Sequence, residues 1–194
     1  VPMRESGDTV SYDDKPITSE QRENVKLHNG QAMTSADVVA SLKRWGEHGS
    51  RGGLLFANVA SVEATGKYDV TLKVNAPFGP WKNLMGFING GPAIYPEAIA
   101  SAAGKEPIAP ENYIGTGPYK FGEWKANRYV ELVRYEEYAS PDGTPDGYGG
   151  KREAKFDKIQ FIPVPDVGTR ISGVKAGDYD YADSIPGDLF ADLD

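Results

Sequence analysis

The apolar positions of residues 34–45 recur at helical spacing, which predicts an amphipathic helix. Its apolar stripe consists of Val38, Val39, Leu42 and Trp45. Thr34 is placed to cap the helix, with Asp37 three residues later as in a capping box, and Met33 can pack onto Val38. Gly46 predicts the end of this helix, since glycine is the commonest residue after a helix C-terminus.

Alternating apolar and polar positions predict strands on both sides of the middle of the chain. A strand is expected before the turn at Asn29-Gly30, and a loop is expected over residues 47–53. Residues 59–65 and 68–75 predict a hairpin in which Val70, Leu72 and Val74 share one face. Further strands are predicted at residues 119–124, 128–135, 156–163 and 179–182.

Proline, aspartate and glycine mark the remaining helices. Pro80 and Pro96 open short helices at residues 81–87 and 97–103, and Pro186 opens a final helix. Asp166 caps a helix that runs to about Lys175 and ends at Gly177. Residues 1–22 are polar and turn-rich, so we expect an irregular lead-in with at most one short edge strand.

Composition narrows the class of protein. The chain has 194 residues, 39% of them hydrophobic and 25% charged, which suits one good core or two small subdomains. A net charge of −7 argues against duplex DNA and other nucleic acid, and against anionic membranes, as partners. The absence of cysteine excludes disulfides, thiol catalysis and cysteine metal sites.

Four segments, in order, resemble the family 5 extracellular solute-binding proteins of ABC importers, which include oligopeptide, dipeptide and nickel binders. The first is residues 23–45, ENVKLHNGQAMTSADVVASLKRW. The others are residues 114–124 (IGTGPYKFGEW), residues 129–138 (YVELVRYEEY), and residues 156–163 (FDKIQFIP) followed by residues 176–180 (AGDYD). Any one of these segments is a weak signal, but four in the family's order are specific.

The resemblance implies an α/β fold, with mixed sheets and peripheral helices, that forms part of lobe I of a type II periplasmic-binding-protein architecture. Family members are far longer and close two lobes on a ligand, so we interpret the chain as a fragment of the first lobe. We expect the polar lead-in over residues 1–22, a subdomain with the capped helix and hairpin over residues 23–112, and a lobe I core subdomain over residues 113–194, truncated before the second lobe.

The resemblance also implies a function. The protein is expected to bind a small solute, a peptide above other classes because most characterised relatives bind peptides, and to deliver it to an ABC permease in the membrane. It is expected in the periplasm or as a cell-surface lipoprotein, with its signal segment absent from this chain. No enzymatic activity and no cofactor are expected.

By resemblance, lobe I contacts its ligand through the loop after the first helix and through the segment after a short strand near the lobe crossover. These map onto residues 54–56 and 183–185. We therefore name Phe56 as a packing surface for a ligand side chain, and Asp183 or Ser184 as hydrogen-bonding partners of the ligand backbone. The alternative is that Phe56 is a core residue and Asp183 a cap or turn residue, which are the commoner roles of these types.

A calcium loop is an alternative use of the segment after the fifth predicted strand. Asp142, Asp146 and Glu153 fall at EF-hand spacing, with Thr144 at the third position. Against calcium, Pro145 stiffens the loop and the flanking segments are predicted strands rather than helices. We therefore expect a solvated hairpin loop and no metal site.

Other chemistries have weaker support. Gly115 and Gly117 lack the third glycine of a dinucleotide fingerprint, and His28 and His48 lack the spacing of zinc ligands. Two other functions stay open: a secreted hydrolase of peptides or glycans, and an extracellular interaction module. The hydrolase would use a carboxylate pair, either Glu136 with Glu137 or Asp178 with Asp180.

Overall fold

The computed structural model describes residues 17–20, 22–147 and 149–193 and confirms a mixed α/β fold. The strands are β1 (Ile17–Glu20), β2 (Val59–Ala64), β3 (Asp69–Val74), β4 (Tyr119–Lys125), β5 (Tyr129–Arg134) and β6 (Lys158–Phe161). The helices are α1 (Ser35–His48), α2 (Ser50–Phe56), α3 (Trp81–Gly86), α4 (Glu97–Ala103) and α5 (Val167–Ala176). Two 3-10 helices span Pro110–Asn112 and Gly187–Leu193, the second where a final helix is predicted.

Contacts divide the described chain into two compact units. Unit 1 extends to Gly122 and includes Leu132–Ile159, and unit 2 comprises Glu123–Glu131 and the residues from Gln160 onward. The predicted division between residues 23–112 and 113–194 stays a prediction.

Unit 1 contains a three-stranded antiparallel sheet in the order β1-β3-β2. The predicted hairpin is confirmed as β2 and β3, and β1 adds the short edge strand within the lead-in, where residues 1–16 lie outside the described residues. Val70 and Leu72 point from β3 into the core, as their alternation predicts. The buried core comprises Val25, Leu27, Met33, Val38, Leu42, Trp45, Leu55, Val62, Val70, Leu72 and Ile94.

The capped start of α1 is confirmed. Thr34 is the N-cap residue, and the Asp37 carboxylate accepts a hydrogen bond from the Thr34 backbone N–H at 2.7 Å. The other Asp37 oxygen accepts from the backbone N–H of Glu97 at 2.8 Å, which ties the start of α4 to α1. One carboxylate therefore satisfies donors at two helix N-termini.

The predicted end of α1 at Gly46 is wrong, since the helix continues to His48. Gly46 is needed for packing instead: a Cβ built on it would lie 2.5 Å from Cγ of the Phe56 ring. The loop predicted for residues 47–53 is also wrong, because α2 begins at Ser50. A Cβ on Gly52 would lie 2.0 Å from the Trp45 carbonyl oxygen, so α2 packs on α1 only with glycine there.

The segment before α1 contains less strand than predicted. Its pairing is reduced to one bridge, between Lys26 and Ala32, around the predicted turn. Gly30 adopts φ +85° in that turn and donates its N–H to the Leu27 carbonyl at 2.8 Å. This left-handed conformation is the one that glycine adopts without strain.

A second three-stranded sheet has the order β4-β5-β6. In unit 2, the predicted helix cap is confirmed: Asp166 Oδ1 accepts from the Thr169 N–H at 2.7 Å, and Gly177 ends α5 at φ +79°. The strand predicted at residues 179–182 is wrong, since no strand pairs with this segment in the described chain. No helix in the described part is both long and apolar enough to cross a bilayer.

Candidate functional site

Phe56 ends α2 at the edge of the unit 1 core. Its ring is half-buried, and it packs against the backbone of Gly46 in α1. Its neighbour Leu55 is fully buried and anchors α2. Core packing accounts for much of the Phe56 ring, so its contact with a ligand stays a prediction.

A surface formed by α2 and the segment after α3 combines apolar side chains with a cation. We define the α2–α3 patch as Arg51, Leu54, Phe87 and Ile88. Leu54 is 62%, Phe87 53% and Ile88 63% exposed. The guanidinium carbon of Arg51 lies 3.9 Å from the centroid of the Phe87 ring, in cation–π geometry.

The loop that carries Phe87 and Ile88 is fixed to the core. The indole Nε1–H of Trp45 donates to the Gly90 carbonyl at 2.8 Å. Gly90 adopts φ +89°, and the stem of Arg51 passes directly beside it. The sequence does not reveal this patch for two reasons. Gly52 and Gly53 predict a loop where α2 forms, and a contact between a cation and a ring on separate segments leaves no local sequence pattern.

Asp183 and Ser184 lie in unit 2, and the side chains of both residues are exposed. Ser184 adopts φ +53°, a left-handed conformation that costs a non-glycine residue energy. Its carbonyl accepts from Arg170 Nη2 at 3.2 Å, while Arg170 Nη1 donates to the Val164 carbonyl at 2.6 Å. Arg170 thus fixes the backbone around Ser184, and the ligand contacts of Asp183 and Ser184 stay predictions.

His28 joins two of the family-like segments. Its backbone N–H donates to the Gly115 carbonyl at 2.8 Å, and the Gly115 N–H donates to Nδ1 at 3.2 Å. Nε2–H is placed to donate to the Gly117 carbonyl at 3.0 Å, and Tyr135 packs edge-on with its hydroxyl bonded to the Leu27 carbonyl. Burial lowers the pKa of His28, which favours the neutral ring that this arrangement needs. The Gly-Thr-Gly segment is therefore fastened to the first motif.

Glu136 and Glu137, one of the two candidate hydrolase pairs, bind separate cations. Glu137 pairs with Lys26, which donates a hydrogen bond to it and lowers its pKa, and Glu136 pairs with Arg134 at 2.9 Å. The other pair, Asp178 and Asp180, is exposed. These are surface ion pairs and solvated acids rather than converging catalytic carboxylates.

The structure does not gather the three residues of the calcium alternative. Asp146 and Gly149 exchange backbone hydrogen bonds at 3.1 and 2.7 Å across a tight turn. Lys151 binds Glu153 at 2.8 Å and lowers its pKa. Within the described residues, no group of three His, Cys, Asp or Glu side chains could hold a metal ion, Asp142 included.

The chain is similar to known proteins over most of its length. Residues 3–194 match the profile of the family described as "Bacterial extracellular solute-binding proteins, family 5 Middle". The chain is 29% identical over 184 residues to a probable peptide ABC transporter periplasmic-binding protein, y4tO, of Sinorhizobium fredii, covering 93% of the chain and 34% of the relative. It is 30% identical over 182 residues to the glutathione-binding protein GsiB of Escherichia coli K12, covering 92% and 32%.

The fold is also similar to solved structures. The binding protein AgaA of A. tumefaciens R10, in complex with agropinic acid, superimposes with a TM-score of 0.76 at 26% identity, over 95% of the chain and 35% of AgaA. The chain spans about a third of the length of the relatives it matches.

Proposed function

Because the chain belongs to the bacterial extracellular solute-binding proteins of family 5, we propose that it captures a small solute and passes it to the membrane permease of an ABC importer. The observation that carries the proposal is the match to this family over residues 3–194. Both named relatives are binding proteins, not enzymes, and the ion-paired carboxylates described above give a hydrolase no support.

The solute class we propose is a short peptide. One relative is named for peptide transport and the other for glutathione, which is itself a tripeptide. AgaA, with its agropinic acid, is a fold relative that takes a different solute, so a test must admit non-peptide cargo. We place the protein in the periplasm or on the cell surface with a lipid anchor, in keeping with the extracellular description of its family.

We propose that Phe56, Asp183 and Ser184 contribute to solute binding. The positive φ of Ser184 supports this role, since strained backbone concentrates at ligand sites. Exposure of Asp183 leaves its carboxylate accessible. Phe56 is only partly buried, so part of its ring is accessible to a ligand.

The test is to identify retained cargo and then measure binding. Protein expressed from its complete gene is purified without denaturant, and its cargo is identified by native mass spectrometry. Cargo-free protein is then titrated with a tripeptide mixture in a calorimeter. We expect stoichiometric peptide binding without hydrolysis; peptide turnover, or binding to large proteins only, would contradict the proposal.

Site residues are tested in the same assay. Asp183→Ala and Ser184→Ala should weaken peptide binding without lowering the melting temperature, because both side chains are exposed. Asp180→Ala, an exposed acid outside the predicted segment, is the matched control.

A further inference from the structure

Arg51 has an aromatic partner, Phe87, and no acidic partner among the described residues. Among the described residues, no carboxylate lies within ion-pair distance of its guanidinium, although the chain carries 28 acidic residues against 21 basic ones. Arg134, by contrast, binds Glu136 at 2.9 Å and Asp157 at 2.8 Å. An arginine that has no carboxylate partner among the described residues is available to an anion from outside.

The guanidinium is held in place before any anion arrives. It stacks on Phe87 at 3.9 Å, and its stem passes beside Gly90. The Trp45 indole fixes Gly90 through a 2.8 Å hydrogen bond, and the fully buried Leu55 anchors the helix that carries Arg51. Stacking leaves the N–H edge of the guanidinium free to donate hydrogen bonds. Because the side chain is already ordered, little conformational entropy is lost when a ligand binds.

Exposed apolar side chains flank Arg51 and Phe87 along the chain. Leu54 lies one turn further along the same face of α2, and Ile88 follows Phe87 in the chain. All three apolar side chains are more than half exposed. Exposed apolar surface around a single charge is typical of a ligand-binding surface.

We propose that the α2–α3 patch is a subsite for a solute carboxylate. Arg51 donates paired hydrogen bonds to the carboxylate, and a neighbouring apolar side chain of the solute packs on Leu54 and Ile88. The inference rests on the proposed function, since it assigns part of the peptide to this surface. The carboxylate can come from an acidic side chain or from the C-terminus of the peptide.

The experiment uses protein expressed from its complete gene and two sets of tripeptides. In both, the middle residue is alanine, leucine or phenylalanine; one set ends in glutamate and the other in glutamine, and each peptide is made as the free acid and the amide. Dissociation constants are measured by calorimetry for wild type, Arg51→Gln, Arg51→Lys and Lys43→Gln. Lys43 is an exposed cation on α1, so Lys43→Gln changes the net charge equally outside the patch.

Arg51→Gln should weaken binding of carboxylate-bearing peptides about ten- to one-hundred-fold, the range for hydrogen bonds between charged groups. Its affinity for the matched neutral peptide should change little, and Lys43→Gln should resemble wild type. Arg51→Lys should be intermediate, because lysine keeps the charge but loses the planar fork. Loss with glutamate peptides identifies a side-chain carboxylate; loss only with free acids identifies the C-terminus.

Two failures are distinguishable. If wild type binds peptides and Arg51→Gln binds them all equally well, the subsite is wrong while peptide binding stands. If wild type binds no peptide of either set, the proposed solute class is wrong and the subsite falls with it. Circular dichroism melts of each variant show that differences in affinity are not differences in folding.

Discussion

Both ring nitrogens of His28 are used within the protein, one as acceptor from the Gly115 N–H and one as donor to the Gly117 carbonyl. Only a neutral imidazole can do both, since the protonated ring has no acceptor nitrogen. Burial disfavours the charged form further and lowers the pKa. The presence of His28 in the first family-like motif is therefore explained by its hydrogen bonds to the Gly-Thr-Gly segment.

This arrangement predicts a pH dependence of stability. Because the pKa of His28 is lower in the folded than in the unfolded protein, the unfolded chain binds more protons between the two values. The contribution of His28 is present above its ordinary pKa of about 6.5 and is lost as the pH falls through the folded-state value. The free energy of unfolding should therefore drop as the pH is lowered below about 6.5.

Urea unfolding across this pH range measures the effect. His28→Gln should lose about 1–2 kcal/mol at neutral pH, the range for two hydrogen bonds, and should show a shallower slope with pH. His48→Gln, at the exposed second histidine, should keep the wild-type slope. An equal slope in wild type and His28→Gln would show that other groups cause the pH dependence.

At the scale of elements, the start of α1 is predictable and its end is not. Thr34 and Asp37 act on nearby backbone, so a local sequence pattern records them. The end depends on contacts between helices: Gly46 continues the helix because Phe56 packs on it, and Gly52 lets α2 approach Trp45. Glycine disfavours helix by about 1 kcal/mol, and tertiary packing outweighs this local preference.

Glycine-to-alanine substitutions separate these effects. Gly46→Ala should destabilise the protein by about 1–3 kcal/mol, since the new Cβ would overlap the Phe56 ring. Gly53→Ala should be neutral or stabilise it by up to about 1 kcal/mol, because the nearest atom to its Cβ is 3.8 Å away. Thermal melts measure both, and equal effects would mean that α2 does not pack on α1 as described.

Unit 2 shows the same division between local and tertiary signals. The Asp166 cap and the Gly177 stop of α5 are both predictable, because each acts within one turn. The strand predicted at residues 179–182 fails because a strand needs a paired neighbour, and Tyr179 packs on Gly173 instead. The same holds for the candidate site. The family resemblance is enough to name Phe56 and Ser184 as candidates, whereas Arg51 becomes a candidate only when the structure shows its contact with Phe87.

The loop that contains Asp142 and Asp146 should not respond to calcium. Glu153 forms an ion pair with Lys151, and the Asp146 backbone forms hydrogen bonds with Gly149 in a tight turn. We expect millimolar calcium to leave the melting temperature unchanged in wild type and in Asp146→Ala. A rise of several degrees in wild type that Asp146→Ala abolishes would establish a calcium site.

At the scale of the molecule, unit 2 exposes four large aromatic side chains. Trp124 is 59%, Phe161 60%, Tyr181 81% and Phe190 58% exposed. Single exposed apolar residues are common, but four large rings in one small unit form an unusual amount of apolar surface. Burial of such surface is favourable by about 25 cal/mol per Å², which drives association.

We therefore expect the 194-residue chain, expressed alone, to self-associate as its concentration rises. Light scattering after size-exclusion chromatography, across a dilution series, measures the molar mass. Phe161→Lys with Phe190→Lys should shift the chain toward monomer, because two exposed rings are replaced by charges. Ser101→Lys with Thr144→Lys adds the same charge at exposed polar positions and should leave association unchanged. If both double variants reduce association equally, net charge controls association rather than the aromatic surface of unit 2. If the wild-type chain stays monomeric at every concentration, these rings do not drive association.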